Sequence, residues 1–330
     1  MQVAVQATGL CGSDLHYFNH FAIGDIAVQQ PLTLGHESSG TVVAVGSSVG
    51  DLKPGDRVAL EVGVPCESCE YCASGRYNIC RGMRFRSSAK IFPHAQGTLQ
   101  ERINHPARWC HRLSDGLTLD LGALMEPLSV AMHAADRAAL PAGATVLVLG
   151  AGAVGLLTAA VTKASDAAHV VIADIQKDRV DFALANGFAD AGIVVPMARP
   201  QTVEDKLKYA REVAELIRTA KIESTGEEVG EVGAVYECTG VETCVQTAIY
   251  VRSVQVLLAL VIMRCAAAAA APAAGDLTST TIVHDRSDNP PWTATCHSCH
   301  SVLQLSPTTE AGEAVATTQW PLPPPLVSNT

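Results

Sequence analysis

Four cysteines set the first chemistry in this sequence. Cys66, Cys69, Cys72 and Cys80 follow C-x2-C-x2-C-x7-C in a segment that also holds Gly, Pro and Ser. Four thiolates on one short loop can close a tetrahedral shell with no open position, as a structural zinc requires. The alternative is four unrelated free thiols, and such regular spacing in a reducing compartment argues against it. A second donor set is dispersed: Cys11 in GLCGSDLHYF, His36 and Glu37 in the GHE triplet, and Glu126 in MEPLSV. A thiolate, an imidazole and a carboxylate together leave a coordination position for water or a substrate oxygen, as catalytic zinc sites do. Taken singly, a buried cysteine or a hydrogen-bonded histidine is more often structural.

A third constellation is glycine-rich. Gly150, Gly152 and Gly155 form G-x-G-x-x-G between the apolar run TVLVLG and an apolar helix. The first glycine permits a tight turn, the second lets a pyrophosphate approach the backbone, and the third lets helix and strand pack closely. Asp174 ends the next strand, HVVIAD, where a carboxylate holds ribose hydroxyls. It repels a 2′-phosphate and so favours NAD over NADP, while Arg179 nearby is the residue that would favour the phosphate. A glycine-rich packing turn followed by a surface aspartate is the bland reading of the same residues.

The elements that must position these groups fall into two styles. Up to about residue 141 the chain is rich in Gly and Pro with short β-like runs at 41–45 and 57–62 and a KPGD turn, which predicts a mostly β domain. From residue 144 strands and helices alternate: TVLVLG, an apolar helix, HVVIAD, a helix over 176–186 closed by Gly187, strands at 192–196 and 234–238, and a charged helix over 203–220 between them. That alternation predicts an α/β doubly wound parallel sheet. A further buried strand fits 254–263, before the CAAAAAAPAAG run and a Ser/Thr/Pro-rich remainder. The remainder has no periodic apolar face and reads as a disordered tail.

Composition narrows the function classes. The 330 residues are 48% hydrophobic and 17% charged, enough for a sizeable core and two domains. A net charge of −10 with no cluster of Lys and Arg argues against nucleic acid. No basic region followed by an apolar stretch opens the chain, so we expect a cytoplasmic protein without disulfides. The 256–274 stretch is interrupted by Arg264 and Pro272 and is not expected to span a membrane.

With these residues in place, the sequence resembles the zinc-containing medium-chain dehydrogenase/reductase family, in its sorbitol (polyol) dehydrogenase branch near xylitol and L-arabinitol dehydrogenases. The matching motifs are GLCGSDLHYF, LGHESSGTVVAVG, LKPGDRVALE, the four-cysteine lobe, GTLQER, MEPLSVAMHA, VLGAGAVGLL and AVYECTG. The resemblance implies a GroES-like catalytic domain over 1–135 with a structural zinc lobe at 64–82, a Rossmann NAD-binding domain over 136–264, and a low-complexity tail over 265–330. It implies that Cys11, His36, Glu37 and Glu126 serve the catalytic zinc, that Ser13 and His16 relay a proton, and that Tyr17 lines the substrate pocket. Val154, Cys238 and Thr239 join Gly150, Gly152, Gly155, Asp174 and Arg179 as cofactor residues. The implied activity is oxidation of a polyol to a ketose with NAD, in a homotetramer.

The sequence departs from the family at both ends. Opening strands of the catalytic domain are missing, and after about Tyr250 the sequence diverges, so it reads as truncated and altered, as from a frame change or retained intron. Two functions therefore stand at this point: an active polyol dehydrogenase, and a catalytically inactive homologue that still binds zinc and NAD. Two motifs remain outside both readings, CHSCH at 296–300, which fits the C-x-x-C-H pattern of haem attachment, and the terminal PLPPPL.

Overall fold

A computed structural model describes residues 1–140 and 142–260, together with four short strands between residues 280 and 318; for 252–260 and those strands it describes the backbone alone. The chain divides into two units, one containing Met1–His133 and the other containing Ala134–Arg264.

The first unit is mostly β. In chain order it holds β1 (Gln2–Gly9), α1 (Gly12–His20), β2 (Ala22–Ile23), β3 (Ile26–Ala27), β4 (Glu37–Ala44), β5 (Arg57–Leu60) and β6 (Gly63–Val64). There follow α2 (Glu70–Ala73), β7 (Arg84–Phe85), β8 (Arg102–Asn104), β9 (Cys110–Arg112) and α3 (Leu119–Ala123), and then α4 (Met125–Ala138), whose residues fall on both sides of the boundary between the units. Its main sheet runs β8-β1-β4-β5-β9, with every neighbouring pair antiparallel. Val3, Val42, Val58, Leu60 and Ile103 gather with Leu52 and Val62 in its core. The KPGD turn forms as expected, with Gly55 at φ 94° and the Asp56 carboxylate accepting the Lys53 amide at 2.8 Å.

β4 begins four residues before the expected 41–45 run. Its first half is polar, yet Ser38 and Ser39 are only 1% and 0% exposed. Their hydroxyls are satisfied internally, by Thr8 and Thr98 for Ser38 and by the Leu119 carbonyl for Ser39. An apolar pattern cannot reveal such a strand, because long-range hydrogen bonds are what permit its burial.

The second unit alternates β10 (Thr145–Leu149), α5 (Ala153–Ala164), β11 (His169–Asp174), α6 (Lys177–Ala185), β12 (Ala191–Val194), α7 (Val203–Thr219), β13 (Val232–Glu237), α8 (Glu242–Val251) and β14 (Arg252–Leu260). The sheet is parallel, in the order β12-β11-β10-β13-β14. Val146, Leu147 and Val148 are each 0% exposed, the continuous burial expected of a strand covered on both faces. α7 is capped by Thr202, whose hydroxyl accepts the Asp205 amide at 3.1 Å, and buries Ala210, Val213, Ala214 and Ile217 along one stripe. The chain order reverses beside β10, where doubly wound sheets bind ligands.

Beyond β14 the described strands are β15 (Thr280–Val283), β16 (Trp292–Cys296), β17 (Val302–Ser306) and β18 (Val315–Thr318), paired antiparallel in that order. The rest of the tail expected to be disordered, residues 297–300 of the CHSCH motif and the PLPPPL segment lie outside the described residues. Among the described residues, no helix is long and apolar enough to cross a membrane.

Candidate metal and cofactor sites

The antiparallel pairing of β1 with β4 places Gly9 opposite Glu37. Cys11, two residues past β1, therefore meets His36 and Glu37 at the start of β4, and one donor atom from each lies within 4.8 Å of the others. Cys11 and His36 are buried. Gly9 is needed here for space, since a Cβ on it would stand 2.1 Å from Glu37 Oε2.

Asp14, in the first turn of α1, holds the cluster together and is only 2% exposed. Its Oδ2 accepts the Cys11 amide at 3.2 Å, and its Oδ1 accepts the Gly35 amide at 3.0 Å and the Ser87 hydroxyl at 2.6 Å. His36 Nδ1 lies 3.3 Å from the same Oδ1. Burial raises the Asp14 carboxyl, but the His36 ring, the Ser87 hydroxyl and the Gly35 amide outweigh it and bring the pKa down to about 2. Burial likewise works against a charged His36, and Asp14 and Cys11 overcome it to lift that pKa to about 10. Glu37 is raised, mainly by burial. The sequence reading did not single out Asp14. Its signal was a carboxylate three residues after a donor cysteine, at a helix start where its backbone partners could be local.

Glu126 lies in the first turn of α4 and stands outside the 4.8 Å cluster. It is nevertheless in the cluster's field: burial, countered by His36 and reinforced by Glu37 and Asp14, pushes its pKa up to about 7. A buried group of one thiol, one imidazole and several carboxyls is costly when its charges are uncompensated. A divalent cation relieves that cost, and thiolate, imidazole and carboxylate are the ligand types zinc takes. The residues present fit zinc.

The four lobe cysteines also converge, with one sulfur from each within 4.8 Å of the others. Cys69 and Cys72 flank the start of α2 with sulfurs 3.6 Å apart, and Cys80 Sγ accepts the Cys66 amide at 3.1 Å. Amide and hydroxyl donors at Ser68 bring the Cys66 thiol down to about 5, whereas burial and neighbouring sulfurs push Cys72 up to about 12. Sulfurs that cannot all ionise together suit a cation at their centre, and four of them fill its shell.

In the second unit the glycine loop joins β10 to α5. Gly150 adopts φ 100°, and a Cβ on Gly155 would lie 1.9 Å from the Gly150 carbonyl oxygen. A Cβ on Gly152, by contrast, would meet nothing within 4 Å, the open approach a phosphate needs at a helix N-terminus. Asp174 accepts the Ala151 amide at 2.7 Å and the Gln176 amide at 2.8 Å, which fixes the carboxylate beside the loop. The Arg179 guanidinium is 3.9 Å from it and half-exposed. Thr239 crosses the same loop, its Cγ2 3.0 Å from where a Gly150 Cβ would be, and the Cys238 amide donates to the Leu149 carbonyl at 2.8 Å. Val154 follows the loop in the first turn of α5. These residues fit a dinucleotide.

Comparison with known proteins agrees with this geometry. Residues 1–115 match the alcohol dehydrogenase GroES-like domain family. An Escherichia coli oxidoreductase/dehydrogenase of unknown specificity has 33% sequence identity and a TM-score of 0.63, over 78% of this chain and 68% of its own. A probable D-xylulose reductase A of Emericella nidulans is 47% identical over 200 residues, 61% of this chain and 54% of that protein. Sorbitol dehydrogenase of Gallus gallus is 41% identical over 246 residues, 74% of this chain and 63% of that protein. The chain belongs to the zinc-containing medium-chain dehydrogenase family. It spans between about half and under two thirds of the length of these two curated relatives.

The catalytic and substrate residues that the family resemblance adds, Ser13, His16 and Tyr17, lie on α1. Ser13 is half-buried in its first turn. His16 is buried with its ring centroid 4.6 Å from that of His20, and burial together with the His20 charge lowers its pKa. Tyr17 is buried at 5% exposure, its hydroxyl accepting the Ala89 amide at 3.3 Å.

Proposed function

We propose that this chain is a zinc-dependent polyol dehydrogenase, oxidising a secondary alcohol of the sorbitol, xylitol or L-arabinitol class to a ketose with NAD as hydride acceptor. The observation that carries the reading is the buried cluster of Cys11, His36 and Glu37, with Glu126 in its field. In this reading residues 1–135 are the catalytic domain, with a zinc lobe at 64–82, and 136–264 bind NAD. Cytoplasmic placement and a homotetramer belong to the same proposal, supported by the family likeness.

Bound zinc supplies Lewis acidity toward the substrate hydroxyl, and bound nicotinamide accepts the hydride. Cys11, His36 and Glu37, with Glu126, hold the metal at the catalytic centre. Asp14 keeps the His36 ring in place through its carboxylate. Ser13 and His16 carry the hydroxyl proton away, His16 being held toward its neutral, proton-accepting form. Asp174 binds the ribose hydroxyls and disfavours a 2′-phosphate. Cys66, Cys69, Cys72 and Cys80 hold a second, structural zinc.

The test is metal content and NADH formation by the purified full chain with sorbitol, xylitol and L-arabinitol, alongside His36→Ala. Two zinc ions per chain, NADH formation, and loss of both one zinc and turnover in His36→Ala are expected. Undiminished turnover by His36→Ala refutes the assignment. Because the chain spans only part of its relatives, a second reading is kept: zinc bound without turnover on any polyol favours an inactive zinc- and NAD-binding homologue.

A further inference from the structure

Ser87 is one of five described non-glycine residues at positive φ, at 63°, and it is 4% exposed. A serine in the left-handed region is strained where glycine would not be, and strain of this kind persists where the surroundings enforce it. Here they do. The Ser87 amide donates to the Ala95 carbonyl at 2.9 Å, and the Arg86 amide donates to the Val62 carbonyl at 3.1 Å.

What the strained backbone delivers is the hydroxyl. Ser87 Oγ donates to Asp14 Oδ1 at 2.6 Å, the shortest hydrogen bond that carboxylate receives. The same oxygen takes the Gly35 amide at 3.0 Å and stands 3.3 Å from His36 Nδ1. Neither the Gly35 amide nor the Cys11 amide approaches from the 87 segment, so Ser87 is a third and independent tether on the carboxylate. His36 Nδ1 is sealed from solvent and faces Asp14 Oδ1 at 3.3 Å, while the Phe85 ring packs against the imidazole at 5.5 Å between centroids, so the Asp14 carboxylate is the charged group against which the ring is set.

We propose that Ser87 is a positioning residue of the catalytic metal site, its hydroxyl fixing the Asp14 carboxylate against His36. The inference rests on the reading that Cys11, His36 and Glu37 hold zinc. Outer partners that orient a metal-bound imidazole are typically worth about 10–100-fold in metal affinity. Ser87 acts one step further out, so the low end of that range, about tenfold, is expected.

Two variants separate positioning from scaffolding. Ser87→Ala removes the hydroxyl and keeps the strain; Ser87→Gly removes the hydroxyl and relieves the strain. The full chain is stripped of metal and titrated with Zn²⁺ against a chromophoric chelator, and Co²⁺ spectra identify which site fills. Both variants are expected to bind one zinc about tenfold more weakly while the four-cysteine site keeps its affinity. Thermal unfolding of the metal-free protein is expected to fall for Ser87→Ala and to stay at or above the parent for Ser87→Gly. Parent affinity at both sites in Ser87→Gly overturns the proposal, and so does loss of both zincs in that variant, since the role is then purely structural. A parent chain that binds zinc only at the four cysteines refutes the site reading itself, a result distinct from either.

Discussion

Replacing Asp14 by asparagine preserves shape while removing the charge on which the Cys11–His36–Glu37 cluster is hung. The carboxylate collects the Cys11 and Gly35 amides and the Ser87 hydroxyl, and it faces His36 Nδ1 at 3.3 Å. Asparagine has one acceptor oxygen, so its amide nitrogen must confront at least one of those donors. The native interactions lower the carboxyl from 3.8 to about 2. At about 1.4 kcal/mol per pKa unit this is worth about 2 kcal/mol of stability at neutral pH. The folded pKa is depressed, so the contribution is fully present above about pH 4 and is lost as pH falls through 2. Urea unfolding of the metal-free protein, parent against Asp14→Asn, is expected to differ by about 2 kcal/mol at pH 7, with the difference shrinking below pH 4. Equal stability at pH 7, or a difference that does not change with acid, refutes the idea that Asp14 is held charged by this cluster.

The nucleotide loop gives a paired test. Gly155→Ala drives a Cβ to 1.9 Å from the Gly150 carbonyl oxygen and is expected to cost about 1–3 kcal/mol in thermal or urea unfolding, whereas Gly152→Ala, with open space, leaves stability unchanged yet weakens NADH binding by fluorescence titration. Asp174→Asn, which loses one acceptor for the Ala151 and Gln176 amides and the charge opposed to a 2′-phosphate, is expected to raise KM for NAD and lower it for NADP. Glu126 has a folded pKa raised from 4.5 to about 7, so its contribution to the metal-free protein is present below pH 4.5 and lost as pH rises through 7. Glu126→Gln should flatten that slope in urea titrations, and so should saturating zinc in the parent.

The parts of the site legible in the sequence are those whose geometry is local. Gly150, Gly152 and Gly155 work within one strand-turn-helix, and the four lobe cysteines within fifteen residues, so spacing alone predicts their convergence. Cys11, His36 and Glu37 were ambiguous singly, because the β1–β4 register that joins them is a long-range fact. Asp14 carried only a local signal, its spacing from Cys11, and Ser87 carried none: a common polar residue gains its role from a contact 73 positions away in sequence. Glu126 belonged to the same dispersed donor set as Cys11 and was ambiguous for the same reason, and the structure puts it near the cluster electrostatically without bringing it within 4.8 Å. In the fold, the alternation of apolar runs and helices predicted the second unit well, since a buried parallel strand is apolar throughout. The polar first half of β4 gave no such signal.

The register of β1 against β4 also bears on how locally the candidate metal site is closed. Cys11 and His36 are separated by about 25 residues, and one antiparallel ladder closes that gap. Loop-closure entropy grows slowly with length, at about 0.6 kcal/mol per doubling, so this closure is among the cheaper long-range steps in the chain. The three candidate metal donors therefore lie within the single segment from Gln2 to Ala44, and its pairing brings them together without any residue of the second unit. Zinc held by that segment would clamp the β1–β4 ladder at one end, tying the stability of the first sheet to metal occupancy.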